Sequence, residues 1–233
     1  MPNTPPAASD AATDPARVPV RIWDLPTRLF HWALAILVTI AWISGTRGAM
    51  ELHLLAGYGV LALVLFRLLW GVLGSESARF ATFLRGPKAA FAHLGELVRR
   101  RPDHDTTHNP LGGYAIALLL IVLAVQTGSG LFADDEILTT GPLSGYVPGA
   151  MVRFATWLHV LNQNIILVLV GLHLLAVLAY ALLLRRDLVR PMVTGIKVMP
   201  AGTKAPRTRS LWLALGLFLL CAAAVQGIAS LGG

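Results

Sequence analysis

LHVLNQNIILVLVGLHLLAVLAYALLL, residues 158–184, is a run of 27 residues without one Asp, Glu, Lys or Arg. About 20 mostly apolar residues suffice to cross the hydrocarbon core of a bilayer, so this segment reads as a membrane-spanning helix. It carries two histidines, His159 and His173, fourteen positions apart. At ~100° and ~1.5 Å per residue they point within ~40° of each other and stand ~21 Å apart along the axis. Both imidazoles therefore face the same neighbours, at opposite depths of the membrane.

Four further stretches have the length and polarity of spans: from about Leu29 to Gly45, Leu54 to Leu73, Leu111 to Phe132 and Leu211 to Leu231. The whole chain is 55% hydrophobic and only 13% charged, and its apolar residues fall in long runs, which is membrane-protein composition. The first run is short, but Asp24 can cap a helix with Pro26 in its first turn, which lengthens it to a full crossing. Residues 1–20, rich in Pro and Ala with no apolar core, read as a disordered tail rather than a signal peptide. The expected fold is an all-α membrane protein: a four-helix bundle over residues 21–190, a basic linker over 191–209 and a fifth C-terminal span over 210–233.

A formal net charge of +7 could indicate a nucleic-acid partner, but its distribution argues against one. Arg17, Arg21 and Arg28 precede helix one. Arg79, Arg85, Lys88 and Arg99 to Arg101 lie between helices two and three, and Arg185, Arg186, Arg190, Lys197, Lys204, Arg207 and Arg209 between four and five. The other connections carry Arg47, Glu51, Asp134, Asp135, Glu136 and Arg153. By the positive-inside rule the N-terminus is expected to be cytoplasmic and the C-terminus external. The connection from Ser75 to Asn109 includes Phe80, Phe83, Leu84, Phe91, Leu94 and Leu97 among basic residues, a pattern for short helices on the membrane surface. The external loop is expected from Ala133 to about Arg153.

Cys221 is the sole cysteine, which excludes an intramolecular disulfide, covalent CxxCH haem and cysteine-held iron–sulfur clusters. Any redox metal falls to histidine. His31 lies fourteen residues before Gly45, where helix one leaves the membrane, just as His173 lies fourteen beyond the outer His159. His53 opens helix two at the outer surface. Topology thus pairs His31 with His173 on the cytoplasmic side and His53 with His159 on the outer side. Facing imidazoles in a helical bundle are a haem-ligand arrangement, and two of them close both axial positions, which favours electron transfer over oxygen binding. A single interfacial histidine is more often a hydrogen-bonding residue than a ligand, but four at two matched depths reverse that preference.

Arg67 stands in an apolar run fourteen residues after His53, at the depth of the inner pair. Either a haem propionate pairs with it or the side chain snorkels to the interface. His108, in His108-Asn109-Pro110, is placed to line a quinone pocket, exchange a proton there or cap helix three. His93 and His104 sit among charges and read as solvated. Gln126, Asn162, Gln163 and Asn164 can bond either to haem edges or between helices.

VRIWDLPTRLFHW (20–32), His53 to Gly59, FRLLWG (66–71), HNPLGG (108–113) and the helix with His159 and His173 together resemble the bacterial cytochrome b561 family. The resemblance is to the branch that includes cytochrome b subunits of nickel-iron hydrogenases, and it covers about residues 20–190. It implies a four-helix bundle with two haem b groups whose ligands are His31, His53, His159 and His173. It also implies electron transfer between membrane quinone and a periplasmic partner, either a c-type cytochrome or a hydrogenase module. A homodimer is compatible with this plan. Some relatives act alone as superoxide:ubiquinone oxidoreductases, and a haem-free membrane anchor is the third reading. Helix five departs from the four-helix pattern and reads as an added anchor or partner contact.

Overall fold

The computed structural model describes residues 17–84, 86 and 110–232. Five of its helices are long and apolar enough to cross a membrane: α1 (Leu25–Thr46), α2 (Met50–Leu73), α4 (Pro110–Gly130), α5 (Gly149–Leu182) and α7 (Leu211–Ala229). The short helices α3 (Phe80–Phe83) and α6 (Val189–Thr194), three single 3-10 turns (Glu76–Ala78, Ser144–Tyr146 and Ser230–Gly232) and a two-stranded sheet complete the described elements. The chain is thus the all-α membrane fold expected, with successive spans alternating in direction. One end of the bundle gathers the arginine-rich segments and is called here the basic end; the other, with Glu51 and Asp134 to Glu136, is the acidic end.

α2 is the hub: α1, α4 and α7 all pack on it, whereas α5 packs chiefly on α4. Val60 and Val64 of α2, Val122 and Leu123 of α4 and Ile166 of α5 form one apolar cluster. A second joins Phe30, Leu63, Phe66 and Trp70 to Ala214 and Cys221 of α7. Leucines on the outer side of α5, such as Leu172, Leu174 and Leu175, are exposed, as a lipid-facing surface requires. Because α5 makes no extensive contact with α1 or α2, a gap remains between them. The four histidines occupy it.

Buried Asp24 organises the basic end. Its Oδ1 accepts from Thr27 N at 3.0 Å, capping α1 as expected, and its Oδ2 accepts from Trp70 Nε1 of α2 at 3.0 Å. Beside it, β1 (Arg17–Arg21) pairs antiparallel with β2 (Ile196–Pro200), and Ile22 N and Trp23 N donate to Gly195 O at 2.8 and 3.2 Å. Gly195 has φ +82°, a left-handed conformation that glycine adopts without the Cβ penalty and that ends α6. Val20, Ile22, Trp23 and Met199 fill the contact. The clasp joins the entry to α1 with the segment after α5, bridging two helices that do not pack on each other.

Several local expectations change. Residues 17–20 belong to β1 rather than to a disordered tail, because Val18, Val20 and Ile22 alternate as a strand does and find a partner; residues 1–16 lie outside the described residues. The linker over 191–209 contains the end of α6 and β2. The external loop ends at Pro148 instead of near Arg153, since Met151 N donates to Pro148 O and starts α5 there. Phe83 is buried and Phe80 half-buried, so α3 faces the protein and not the membrane surface. Phe91, Leu94, Leu97, His93, His104 and His108 lie outside the described residues. The flanks of α7, expected as an added anchor or partner contact, are tied to the bundle: Glu76 N donates to Arg207 O and Arg207 N to Glu76 Oε2, both at 2.9 Å, and Tyr146 OH donates to Leu231 O at the acidic end.

Replacing Asp24 by Ala removes a cap worth ~1 kcal/mol and strands a buried indole N–H worth ~1–3 kcal/mol. The purified variant should therefore unfold at clearly lower temperature in detergent, by the equivalent of roughly 2–4 kcal/mol. Asp24→Asn, which keeps one acceptor oxygen and turns the other position into a donor, should lose less than alanine.

Candidate functional site

At the acidic end His53 of α2 and His159 of α5 face one another with ring centroids 6.0 Å apart and planes at 82°. His53 Nδ1 lies 2.8 Å from Ala41 O, and His159 Nδ1 lies 2.9 Å from Gln126 O. A carbonyl oxygen only accepts, so both Nδ1 atoms carry the proton and both Nε2 lone pairs are left for a metal. The 6.0 Å between ring centres leaves space in which His53 and His159 would hold a metal ion between them, at bond lengths of ~2 Å.

Glycine makes room for these rings. A Cβ on Gly45 would sit 2.7 Å from His53 Nδ1, and one on Gly130 would sit 2.9 Å from His159 Cε1. The two histidines, with Gly45, Gly57 and Gly130, line a mostly apolar cavity of ≈ 310 Å³. Its acidic-end rim carries Asp134 and Asp135 and no lysine or arginine. The rim is firm: Asp135 Oδ1 accepts from the backbone N–H groups of Ile137, Leu138 and Thr139 at 2.8–2.9 Å. Those bonds, with Thr139 foremost, hold the Asp135 carboxyl below the usual carboxylate range.

At the basic end His31 of α1 and His173 of α5 stand with centroids 6.5 Å apart and planes tilted by 56°. His31 Nδ1 is buried with no hydrogen-bond partner, and Trp32 packs edge-on at 5.0 Å. Both histidine pairs anticipated from spacing are therefore adjacent, one at each depth. Among the described residues no group of three or more His, Cys, Asp or Glu converges as a metal site, so the arrangement is two separate pairs.

Arg67 is buried inside the protein rather than snorkelling, with its guanidinium carbon 4.9 Å from the Phe80 ring centre and 6.0 Å from that of Phe83. Its Nη1 has no hydrogen-bond partner. Gln126 and Asn162 serve helix pairing: Asn162 Nδ2 donates to Gln126 Oε1 at 2.8 Å and to Val122 O at 2.9 Å. Asn164 bonds back to Val160 O of its own helix, and Gln163 lines the cavity. Thr27 and Arg28, one turn before His31 on α1 and not singled out by sequence reasoning, each have a buried atom without a hydrogen-bond partner, Oγ1 and Nε.

The residues present fit haem b on observations of the chain itself: paired imidazoles at metal-bridging distance, a tautomer that frees Nε2, glycine cradles and orphaned donors at the basic end.

The family model described as prokaryotic cytochrome b561 matches residues 22–195. A probable Ni/Fe-hydrogenase B-type cytochrome subunit of Bradyrhizobium diazoefficiens is 23% identical over 225 residues, covering 81% of this chain and 90% of the relative. The protein of the same description from Azotobacter vinelandii is 26% identical over 210 residues, covering 76% of this chain and 87% of its own. No solved structure matches. α7 lies beyond the matched stretch. With three quarters of its length inside the family model and the fold that composition demands, the chain belongs to the prokaryotic cytochrome b561 family and is a membrane b-type cytochrome of electron transfer that binds haem b.

Proposed function

We propose that this chain is a transmembrane di-haem cytochrome that passes electrons between the membrane quinone pool and a redox partner at the external face, a c-type cytochrome or a hydrogenase module. The observation that carries the reading is the pair of histidine pairs, with rings 6.0 and 6.5 Å apart at opposite ends of the bundle. His31 with His173 holds the cytoplasmic haem and His53 with His159 the outer one. Haem b, when bound, would supply a one-electron couple at each histidine pair.

The chain's own groups orient and isolate those sites. Ala41 O and Gln126 O fix the outer imidazoles in one tautomer and one rotation. With both imidazoles of a pair as ligands, a bound haem would be suited to electron transfer rather than to binding oxygen. Arg67, buried and missing an acceptor, offers a propionate a charge-assisted partner. The proposed topology keeps the clasp of β1 and β2 in the cytoplasm and the C-terminus outside, in the inner membrane. His108 before α4 stays a candidate for the quinone pocket. The names of the two relatives support the hydrogenase module as partner. The outer cavity's acidic rim repels a small anion, which disfavours superoxide as a substrate.

Purified protein should contain about two haem b per chain. Alanine in place of His31 or His173 should remove one spectral component, and in place of His53 or His159 the other. A colourless protein, or variants with unchanged reduced-minus-oxidised spectra, would leave a haem-free anchor as the better reading.

The glycine cradles give a second expectation. Gly130→Val should remove roughly half the haem, the His53/His159 component, by displacing the His159 ring. Gly128→Ala, where a Cβ meets nothing within 4 Å, should leave the spectrum intact.

A further inference from the structure

Four buried side-chain atoms of the described residues have no hydrogen-bond partner: Thr27 Oγ1, Arg28 Nε, His31 Nδ1 and Arg67 Nη1. All four lie at the basic end. Three fall within five positions of α1, and helical geometry sets their directions. Thr27 points ~40° to one side of His31 and Arg28 ~60° to the other, each about one turn nearer the basic end. The fourth comes from α2, one turn before Trp70, whose indole holds Asp24.

An arginine has donors and no acceptor, so two guanidiniums with idle nitrogens lack an anion. Asp24 supplies only part of it. Its oxygens already accept from Thr27 N and Trp70 Nε1. Leaving such donors buried and unpaired is costly, more so for charged groups, and three of these four atoms fall on the stretch of α1 that carries His31.

Arg28 is also held in place. Its Nη1 donates to Val193 O, and its guanidinium lies against Gly195, where a Cβ would approach Nε to 3.2 Å. Trp32 Nε1 donates to the neighbouring Met192 O at 3.3 Å. The side chain is thus fastened to the turn that the strand clasp secures, and it cannot swing into solvent without breaking that contact.

We infer that Arg28 and Thr27, together with Arg67, form the carboxylate-binding pole of the cytoplasmic haem site, donating hydrogen bonds to the haem propionates one turn below His31. The inference rests on the di-haem reading above. Guanidinium-to-carboxylate bonds are charge-assisted, and the fixed positive charge favours the reduced, less positive iron. A lipid phosphate offers similar oxygens, and the experiment separates the two sources.

The test is potentiometric titration of purified wild type, Arg28→Met, Arg28→Lys and Thr27→Val at several pH values, with haem stoichiometry measured on each. Arg28→Met should keep two haems and shift one reduction equilibrium about tenfold toward the ferric form, ~59 mV for a one-electron couple. That haem should be the one missing from His31→Ala, and its potential should become more dependent on pH as a propionate loses its cationic partner. Arg28→Lys should restore most of the shift. If Arg28→Met loses the cytoplasmic haem, Thr27→Val carries the test through a smaller, pH-dependent shift of the same component. Two haems at wild-type potentials and pH dependence in the Arg28 and Thr27 variants would overturn the inference, whether or not bound phospholipid is lost, and would leave the di-haem reading standing. Wild-type protein without haem would instead overturn that underlying reading.

Discussion

A helix that presents imidazoles to the same neighbours at both depths of a membrane cannot pack flush against those neighbours. α5 meets this constraint by resting on α4 and leaving a gap toward α1 and α2, across which the rings of His31 and His173 and of His53 and His159 approach to 6.5 and 6.0 Å. Everything else in the fold answers to that gap. The α4–α5 contact sets its far wall through Asn162 and Gln126, a polar pairing of the kind that joins helices within a membrane. The hub position of α2 sets the near wall.

Holding two walls apart requires ties at the ends. At the basic end the strand clasp and Asp24 do this with backbone pairing and a buried carboxylate, groups whose hydrogen bonds are directional and so fix spacing better than apolar contact does. At the acidic end the loop before α5 is stiffened by Asp135 and latched to the end of α7 by Tyr146. α7 therefore supports the bundle from outside the gap. It covers α2 on the side that carries no histidine, burying Cys221, Ala214 and Val225, and leaves the histidine face untouched.

The two histidine pairs differ in their surroundings. The outer rings have their Nδ1 protons on backbone carbonyls and their cavity rimmed by carboxylates, while the inner pair sits among arginines with unused donors. Positive charge near a redox group favours its reduced form and negative charge disfavours it. Two like pairs of imidazoles thus acquire opposite electrostatic settings from their neighbours, and the difference follows the division of charge between the basic and acidic ends of the bundle.

Much of this was legible in the sequence, because periodicity in a membrane helix is a direct readout of direction and depth. The span from 158 to 184 placed His159 and His173 on one face, the charge pattern separated the two ends, and Asp24 with Pro26 marked the start of α1. What the sequence left open was set by long-range contact. Val18, Val20 and Ile22 alternate as a strand, but a strand is stable only with a partner, and β2 lies some 180 positions away. Arg67 read equally as buried or snorkelling until α3 turned Phe80 and Phe83 inward over it. Gly45 read as the point where helix one leaves the membrane, and Gly130 carried no signal, until the rings of His53 and His159 came to lie where their side chains would have been. Local chemistry decided which residues point where along each helix; only the packing of helices remote in sequence decided which of them meet.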